Sequence, residues 1–433
     1  MRDGWQIKTL GEVCDVDKSQ GVHENLPFVG LEDIESNTGR FVGSTQTRTV
    51  KSSTFKFTPD HLLYGRLRPY LNKVMLPEFV GHCSTEIVPL KPHPGLSREF
   101  LQYWLLMDRT VVAIDATCTG TRMPRASMSA VLEMKIPLAP LSEQRRIVEV
   151  LDETFACIAT DRANAQTNLQ NARVLHESGL NAAVTGFLTR DWRRENPSAG
   201  STRQALRERL SRQSGRAGSR EARSPVVDKP IQIPESWVLA SPEQLSTHIV
   251  DCPHSTPKWT ESGVACLRTT NFKAGALDLE SLRFVSEETY DDRISRLEPK
   301  PGDVLYSREG GILGIACIMP TQLRACLGQR MMQFRLDTSV VLPEFFVGVL
   351  NSALMLSEVR RLTGGAAAPH LNIRDIKTFP IPLPPIAEQR RIVELLASIT
   401  YETEFLEAIY RRKLAALGEL KKSLLHQAFS GRL

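Results

Sequence analysis

The chain has 433 residues, 41 % of them hydrophobic and 24 % charged, and 54 lysines and arginines against 49 acids give a net charge of +5. The length predicts about three domain-sized units, and the composition is typical of a folded globular chain. No apolar signal-peptide core follows Met1, and no apolar run approaches the roughly 20 residues of a membrane span, which predicts a cytoplasmic chain with no membrane partner. The eight cysteines form no Cys-x-x-Cys pair, so we expect reduced thiols rather than zinc ligands.

The first variable block, residues 5–135, carries short β-type runs separated by turns, and a helical run follows them. The β-type runs include Leu26–Leu31 and Thr85–Leu90, and the helical run is Ser97–Leu106. This pattern favours a small mixed α+β domain.

A long helix is predicted after this block. Ile136–Pro140 is expected to be extended, because each proline fixes φ and biases the preceding residue away from the helix. No proline occurs from Ser142 until Pro197, and apolar residues recur there at helical spacing. Glu143 suits a first turn, and Gly186 is a plausible helix end. A helix of about 44 residues would be roughly 65 Å long.

Residues 189–232 form an Arg-, Ser- and Gly-rich segment. Ten arginines and Lys229 stand against five acids between residues 189 and 230. We interpret the segment as a solvated tether, with a helical turn or two near Gln204–Arg212. A tether that also contacts phosphates is the second interpretation.

The second variable block, residues 237–380, shows the same kind of pattern as the first. Its predicted β-type runs are Val264–Arg268, Asp303–Tyr306, Ile312–Met319 and Met331–Leu336, and its helical run is Pro343–Leu354. We therefore expect a second small mixed domain.

An internal repeat links the two halves. Residues 136–151 and 381–396 are identical at 12 of 16 positions, and the offset of 245 persists through the second helical run. Gly4-Trp5 is matched by Ser236-Trp237 at an offset of 232. The sequence thus contains a variable block plus a constant block, twice.

The two predicted helices need partners, because an amphipathic helix of this length is not stable alone. We expect them to pack on each other as an antiparallel coiled coil, with the variable blocks at opposite ends and related by a pseudo-twofold axis. The predicted fold class is therefore α+β, with two small mixed domains separated by two long helices. Such an arrangement suits a pseudo-symmetric ligand such as duplex DNA.

Candidate DNA-binding residues lie in predicted loops of both blocks. A Gly-rich turn followed by Arg, His or Asn can approach phosphates and base edges closely. Each residue taken alone is more simply a solvated surface residue, but the repeat favours nucleic-acid contact for the group. The candidates are Arg66, Arg68, Lys73, Thr119, Arg122 and Arg125 in the first block, and Ser307, Arg308, Arg330, His370, Asn372 and Arg374 in the second.

Catalytic motifs are missing from the sequence. It has no P-loop, Gly-x-Gly-x-x-Gly, His-Glu-x-x-His or Gly-x-Ser-x-Gly. Glu133-Met134-Lys135 and Glu298-Pro299-Lys300 have the Glu-x-Lys shape of metal-dependent nucleases but lack a Pro-Asp partner, and His254 near Cys252 has no further metal ligands. We interpret these as background, and we expect no catalytic residue and no metal in this chain.

Two variable blocks, each followed by Ile-Pro-x-x-Pro-x-x-Glu-Gln-x-x-Ile and a long helix, resemble the specificity (S) subunit of type I restriction-modification systems. The most specific elements are the paired motifs at 136–147 and 381–392, the domain start Pro234–Trp237, and the final segment Ala428–Leu433. The resemblance covers essentially the whole chain. On this basis it divides into target recognition domain 1 (1–141), conserved spacer helix 1 (142–188), the linker (189–232), target recognition domain 2 (233–386) and conserved spacer helix 2 (387–433).

The resemblance implies that each recognition domain reads one half of a split sequence in double-stranded DNA, and that the helices act as a ruler between the halves. It implies docking of two methyltransferase subunits, which carry S-adenosylmethionine and methylate adenine, and of up to two restriction and translocation subunits that use ATP and Mg²⁺. This chain itself would hold no cofactor. The implied partner-binding residues are Glu143, Gln144, Arg145, Glu388, Gln389 and Arg390.

Other classes of protein stay open at this point. The chain could be a nuclease with an unrecognised site, which would degrade DNA unaided and lose that activity when Glu133 or Glu298 is changed. It could also be a coiled-coil scaffold indifferent to DNA, or a stand-alone DNA-binding protein without a methylase partner.

Overall fold

The computed structural model describes residues 4–48, 50–120, 122–197, 200–214, 221–228, 230–364 and 369–433. The chain folds into two compact units: unit 1 is Met1–Asn168 with Ile409–Leu433, and unit 2 is Leu169–Ala408. Within the described residues, none of the helices combines the length and apolar character needed to cross a membrane.

Unit 1 is a mixed domain followed by a long helix. Its strands are β1 (Gln6–Thr9), β2 (Cys14–Val16), β3 (Gln20–Gly21), β4 (Phe28–Val29), β5 (Thr54–Phe57), β6 (Leu62–Gly65), β7 (Val74–Met75), β8 (Gly81–Cys83), β9 (Ile87–Pro92) and β10 (Lys135–Leu138). Its helices are α1 (Leu10–Val13), α2 (Arg98–Leu105), α3 (Asp108–Asp115), α4 (Met128–Leu132) and the first part of α5 (Leu141–Val184), with short 3-10 helices at Leu31–Asp33 and Pro69–Leu71.

Three sheets build unit 1. One has the order β2-β9-β6-β7, the second β3-β5-β8-β4, and β1 pairs with β10. Helix α2 begins where the Ser97 hydroxyl accepts the Phe100 N–H, and it buries Phe100, Leu101 and Trp104 against the first sheet. The Phe100 ring packs on that of Phe429, with centroids 4.6 Å apart. The core therefore joins the domain to the end of the chain's last helix.

Unit 2 repeats this plan. Its strands are β11 (Val238–Ala240), β12 (Ser246–Asp251), β13 (Trp259–Thr260), β14 (Val264–Leu267), β15 (Phe272–Lys273), β16 (Ala276–Leu277), β17 (Arg283–Val285), β18 (Val304–Ser307), β19 (Ala316–Ile318), β20 (Ala325–Leu327), β21 (Met331–Leu336) and β22 (Ile381–Leu383). Its helices are the last part of α5, α6 (Arg190–Glu195), α7 (Thr202–Ser214), α8 (Pro242–Leu245), α9 (Glu287–Ile294), α10 (Pro343–Asn351), α11 (Ala353–Thr363), α12 (Ile373–Ile376) and the first part of α13 (Ile386–Phe429), and Thr269–Asn271 is a short 3-10 helix.

Two of the sheets have the same strand order in both units, and a third sheet differs. The order β12-β21-β18-β19 reproduces β2-β9-β6-β7, and β11 pairs with β22 as β1 pairs with β10. In the remaining four-stranded sheet the order is β13-β17-β14-β20, so an earlier strand holds the central place that β8 holds in unit 1. Unit 2 also has a two-stranded sheet of β15 and β16, which has no counterpart among the sheets of unit 1.

The long helices α5 and α13 have 44 residues each and run antiparallel, as predicted. In unit 1, the Lys413 Nζ lies 3.3 Å from a carboxylate oxygen of Asp161. In unit 2, Arg173 lies 3.8 Å from Glu407, and the His176 Nε2 lies 3.3 Å from the Thr400 hydroxyl. As the residue number increases along α5, the number of the contacted residue decreases along α13, so the two helices run antiparallel.

The prediction of a solvated tether was wrong for the segment that contains α7. Arg209 is buried, and its guanidinium donates to the Ser246 carbonyl (2.6 Å) and the Gln213 side-chain carbonyl (2.7 Å). Its Nε lies 3.4 Å from an Asp337 carboxylate oxygen. Helix α7 contains the predicted Gln204–Arg212 turn, but acceptors distant in sequence anchor it to the second domain. The division into five segments stays a prediction.

We expect Arg209→Ala to detach α7 from unit 2. Removing one partner of a buried ion pair costs about 3–5 kcal/mol, enough to raise the hydrogen-exchange rates of the α7 amides by two orders of magnitude or more. Arg207→Ala is the control, because Arg207 is exposed on the same helix. Equal exchange rates for α7 in the two variants would show that Arg209 does not hold the helix.

Candidate nucleic-acid interface

Three chain segments meet at one end of the shared sheet in unit 1. The Arg66 N–H donates to the Glu86 carbonyl (2.9 Å), the Ala126 N–H donates to the Arg66 carbonyl (2.9 Å), and the Arg68 N–H donates to the Pro124 carbonyl (2.8 Å). These bonds join the end of β6, the residue before β9 and the loop before α4. We call this arrangement junction 1.

Unit 2 contains the same arrangement, which we call junction 2. The Arg308 N–H donates to the Arg330 carbonyl (3.0 Å), the Leu371 N–H donates to the Arg308 carbonyl (2.9 Å), and the Gly310 N–H donates to the Pro369 carbonyl (3.3 Å). The bonds define structural counterparts: Arg66 and Arg308, Arg68 and Gly310, Glu86 and Arg330, Pro124 and Pro369, Ala126 and Leu371.

Most of the predicted DNA-binding residues of the first block converge on junction 1. Arg66 and Arg68 lie at the end of β6, and Thr119 and Arg125 exchange backbone hydrogen bonds of 3.1 and 3.2 Å in the adjoining loop. Arg122 is exposed in that same loop. Junction 1 is therefore a cluster of cationic side chains held by backbone bonds.

One carboxylate, which sequence reasoning missed, organises this cluster. Glu86 accepts hydrogen bonds of 2.8 and 3.0 Å from Arg125, and the Arg66 Nε lies 3.4 Å away. The hydrogen bonds from Arg125 hold the pKa of the Glu86 carboxyl below its usual range, against the effect of burial. Glu86 therefore stays ionised at neutral pH, and the three side chains together carry one positive charge.

Lys73 does not belong to this cationic surface. Its ammonium donates to the carbonyls of Leu31 (2.6 Å) and Ile34 (2.8 Å). Lys73 therefore holds the 3-10 helix Leu31–Asp33 against the chain just before β7. Two of its three donors are thus committed within the domain, and contact of Lys73 with DNA stays a prediction.

Junction 2 has a buried centre. Arg308 is 5 % exposed and forms a bidentate pair with Asp251 (2.8 and 3.1 Å), while Glu309 lies 2.8 Å from another guanidinium nitrogen. The Ser307 hydroxyl is fully buried and bonds to the Ile315 backbone. The predictions that Ser307 and Arg308 contact DNA were therefore wrong. The exposed candidates of junction 2 and the following α12 turn are Arg330, His370, Asn372 and Arg374.

Two glutamines of the repeated motif are structural. The Gln144 side chain is buried, accepts the Ser97 N–H (2.9 Å) and donates to the carbonyls of Gly95 (2.8 Å) and Ala139 (2.7 Å). It thereby ties the start of α5 to the turn before α2. The prediction that Gln144 binds a partner was wrong, because none of its polar atoms faces solvent.

Gln389 makes the same three bonds at an offset of 245. It accepts the Leu342 N–H (2.8 Å) and donates to the carbonyls of Val340 (2.8 Å) and Pro384 (3.0 Å). Gln389 is buried as well, so it too was wrongly predicted to bind a partner.

The glutamates beside them differ between the copies. Glu388 is buried, accepts hydrogen bonds from Thr189 (2.7 Å) and the Trp237 indole (3.0 Å), and pairs with Arg193. It was therefore also wrongly predicted to face a partner. Glu143 pairs with Arg146 at the helix surface, 2.9 Å away. Arg145 and Arg390 are exposed and stay predictions for partner contact.

Metal-binding and nuclease-like groups do not cluster in the described residues. These contain no group of three or more His, Cys, Asp or Glu side chains that could hold a metal ion, and the eight cysteines are free thiols. Glu298 accepts the Tyr290 hydroxyl at 3.0 Å, and the His254 Nε2 lies 3.0 Å from the Asp251 carboxylate that also holds Arg308. Glu298 and His254 thus each contact a side chain of their own domain.

The fold and the junctions define a duplicated chain in which each mixed domain carries a cationic loop junction and closes onto a long helix. The family model of the type I restriction modification DNA specificity domain matches residues 2–170 and 284–412, well over half of the chain. The chain therefore belongs to this family.

The chain is also similar to curated type I restriction enzyme specificity subunits. The chain is 28 % identical over 228 residues to the type I restriction enzyme EcoDI specificity subunit of Escherichia coli, which is 51 % of each protein. It is 26 % identical over 353 residues to the EcoKI specificity subunit of Escherichia coli strain K12, covering 79 % of this chain and 67 % of the relative. The chain thus spans about half of the first relative and about two thirds of the second.

Two solved structures share the fold along the whole chain. One, described as the structural basis underlying complex assembly and conformational transition of the type I R-M system, aligns with a TM-score of 0.72 at 21 % identity and covers 100 % of this chain and 99 % of the other. The HsdS subunit from Thermoanaerobacter tengcongensis aligns with a TM-score of 0.57 at 20 % identity, covering 100 % and 98 %.

Proposed function

We propose that this chain is the non-catalytic specificity subunit of a type I restriction-modification complex, and that it reads a split DNA target with one half-site at each junction. The observation that carries the proposal is the recurrence of one backbone junction in both units, each presenting exposed cations. Exposed arginines beside a fixed loop are suited to phosphates and base edges.

The proposed partners are double-stranded DNA, two methyltransferase subunits and up to two restriction subunits. S-adenosylmethionine, ATP and Mg²⁺ would act in those partners. Tyr401 and Phe405 lie one helical turn apart on α13 with 72 % and 55 % of their surfaces exposed, and Val174 and Leu175 are exposed on α5. Large exposed apolar side chains on a helix support docking of another subunit at the helical segment of unit 2.

The test is co-expression with the methyltransferase subunit encoded beside this chain, followed by genome-wide mapping of methylated adenine. We expect a split motif that requires this chain. Exchange of residues 5–135 should change one half of the motif, and exchange of residues 237–380 should change the other half. No new methylation from a verified, stable complex would contradict the proposal, and a motif that changes in both halves after one exchange would contradict the assignment of one domain to each half.

A further inference from the structure

Each junction holds one arginine in a backbone conformation that arginine rarely adopts. Among the described residues, the non-glycine positions with positive φ are Arg68 (50°), Arg330 (69°) and three asparagines. Asparagine tolerates the left-handed region, whereas a longer side chain there is uncommon and concentrates at functional sites. The surrounding bonds of both junctions over-determine these two conformations.

The two arginines occupy different positions of the repeat. The counterpart of Arg68 is Gly310, and the counterpart of Arg330 is Glu86. Gly310 itself has a φ of 91°, so the left-handed position of Arg68 is kept in unit 2 without its side chain.

The side chain of Arg330 nevertheless lies beside Gly310, the backbone counterpart of Arg68. A Cβ atom at Gly310 would lie 3.4 Å from a terminal guanidinium nitrogen of Arg330 and 3.7 Å from its Cδ. The side chain of Arg330 therefore crosses from the start of β21 onto the Gly310 turn. Glycine at 310 leaves room for this crossing, so in each junction one arginine side chain lies at the left-handed turn position, and the two arginines come from different segments.

The guanidiniums of Arg68 and Arg330 are available, whereas three other arginines of the junctions face carboxylates. Arg66 and Arg125 face Glu86, and Arg308 is paired with Asp251. Arg68 and Arg330 are exposed and have no ion pair among the described residues. An uncommitted planar fork on a fixed backbone suits bidentate contact with the O6 and N7 atoms of guanine.

We infer that Arg68 and Arg330 are the specificity-determining arginines of the two domains, and that each reads a guanine in its own half-site. This inference rests on the proposed function. It assigns Arg66, Arg125 and Arg308 to positioning the loops from which the two readers project.

Glycine substitutions test the inference, because glycine keeps positive φ without strain and removes only the side chain. Arg68→Gly, Arg330→Gly and the wild-type chain are each co-purified with the methyltransferase subunit, and bound sequences are selected from a random DNA pool. The controls are Arg122→Ala in unit 1 and Arg374→Ala in unit 2, which remove exposed cations outside the left-handed positions.

We expect Arg68→Gly to reduce the preference for one guanine by about tenfold or more in one half-site, and Arg330→Gly to do the same in the other half-site. The controls should lower affinity uniformly and leave the motif intact. A uniform loss of affinity with an unchanged motif in both glycine variants would overturn the inference, as would relaxation at a base pair without guanine. A wild-type complex that selects no split motif would instead overturn the proposed function.

Discussion

Glu388→Ala is expected to lower the free energy of unfolding of unit 2 by about 3–5 kcal/mol, one of the largest single-residue effects in the molecule. The Glu388 carboxylate is 1 % exposed and receives the Arg193 guanidinium, the Thr189 hydroxyl and the Trp237 indole N–H. Removing it leaves a largely buried positive charge and two donors without their acceptor. The loss should appear as faster hydrogen exchange in β11, β22 and the first turns of α13.

The matched control is Glu394→Ala on the same helix. Glu394 pairs with Arg391 at 3.2 Å, but both side chains are well exposed, and such surface pairs contribute about 0–1 kcal/mol. If the two glutamate variants unfolded at the same denaturant concentration, the buried cluster around Glu388 would not be a stabilising element.

Gln144→Ala and Gln389→Ala are expected to destabilise their own units by similar amounts, about 3 kcal/mol each. Each change leaves one partly buried backbone N–H and two carbonyls, at least one of them buried, without their partner. An unsatisfied buried polar group costs about 1–3 kcal/mol. Urea unfolding with hydrogen exchange localises the loss: Gln144→Ala should affect α2 and the start of α5, and Gln389→Ala should affect α10 and the start of α13.

Substitution by glutamate sharpens this test. Glutamate has nearly the same shape but cannot donate to the two carbonyls when it is ionised, so Gln389→Glu should be at least as destabilising as Gln389→Ala. Arg390→Ala, at an exposed neighbour, should leave stability unchanged. Full stability of the Gln389→Glu protein would show that the amide donor bonds contribute nothing.

The repeat and the long helices could be predicted because their signals are local. The prolines of Ile136–Pro140 and the apolar spacing after Ser142 specify extended and helical backbone without reference to distant residues. Junction 1 could be anticipated only as a group of basic loop residues. The backbone bonds that bring Arg66 beside Ala126 come from tertiary packing, which the periodicity does not contain.

The wrong predictions share one cause. Whether an arginine or glutamine side chain is exposed or buried depends on its bonding partner, and that partner is distant in the sequence. Arg308 was assigned to the surface, yet Asp251 lies 57 residues earlier in the chain and takes its guanidinium inward. Arg209 was assigned to a tether, yet Asp337 binds it from a distant loop. The repeat of Gln144 as Gln389 correctly indicated that this residue is required in both copies. It did not indicate that the residue is required for hydrogen bonds within its own unit rather than for contact with a partner.

The pairing of β1 with β10, and of β11 with β22, brings the beginning and the end of each domain side by side. Just after these strand pairs, Gln144 and Gln389 hydrogen-bond the start of each long helix to the chain that precedes it. A foreign domain that brings its own first and last strands could therefore replace either domain without disturbing the helix that follows. The near-identical segments 136–151 and 381–396 lie where each domain ends and its long helix begins. Recombination within the gene regions that encode them would therefore yield proteins that keep one domain intact and have the other replaced.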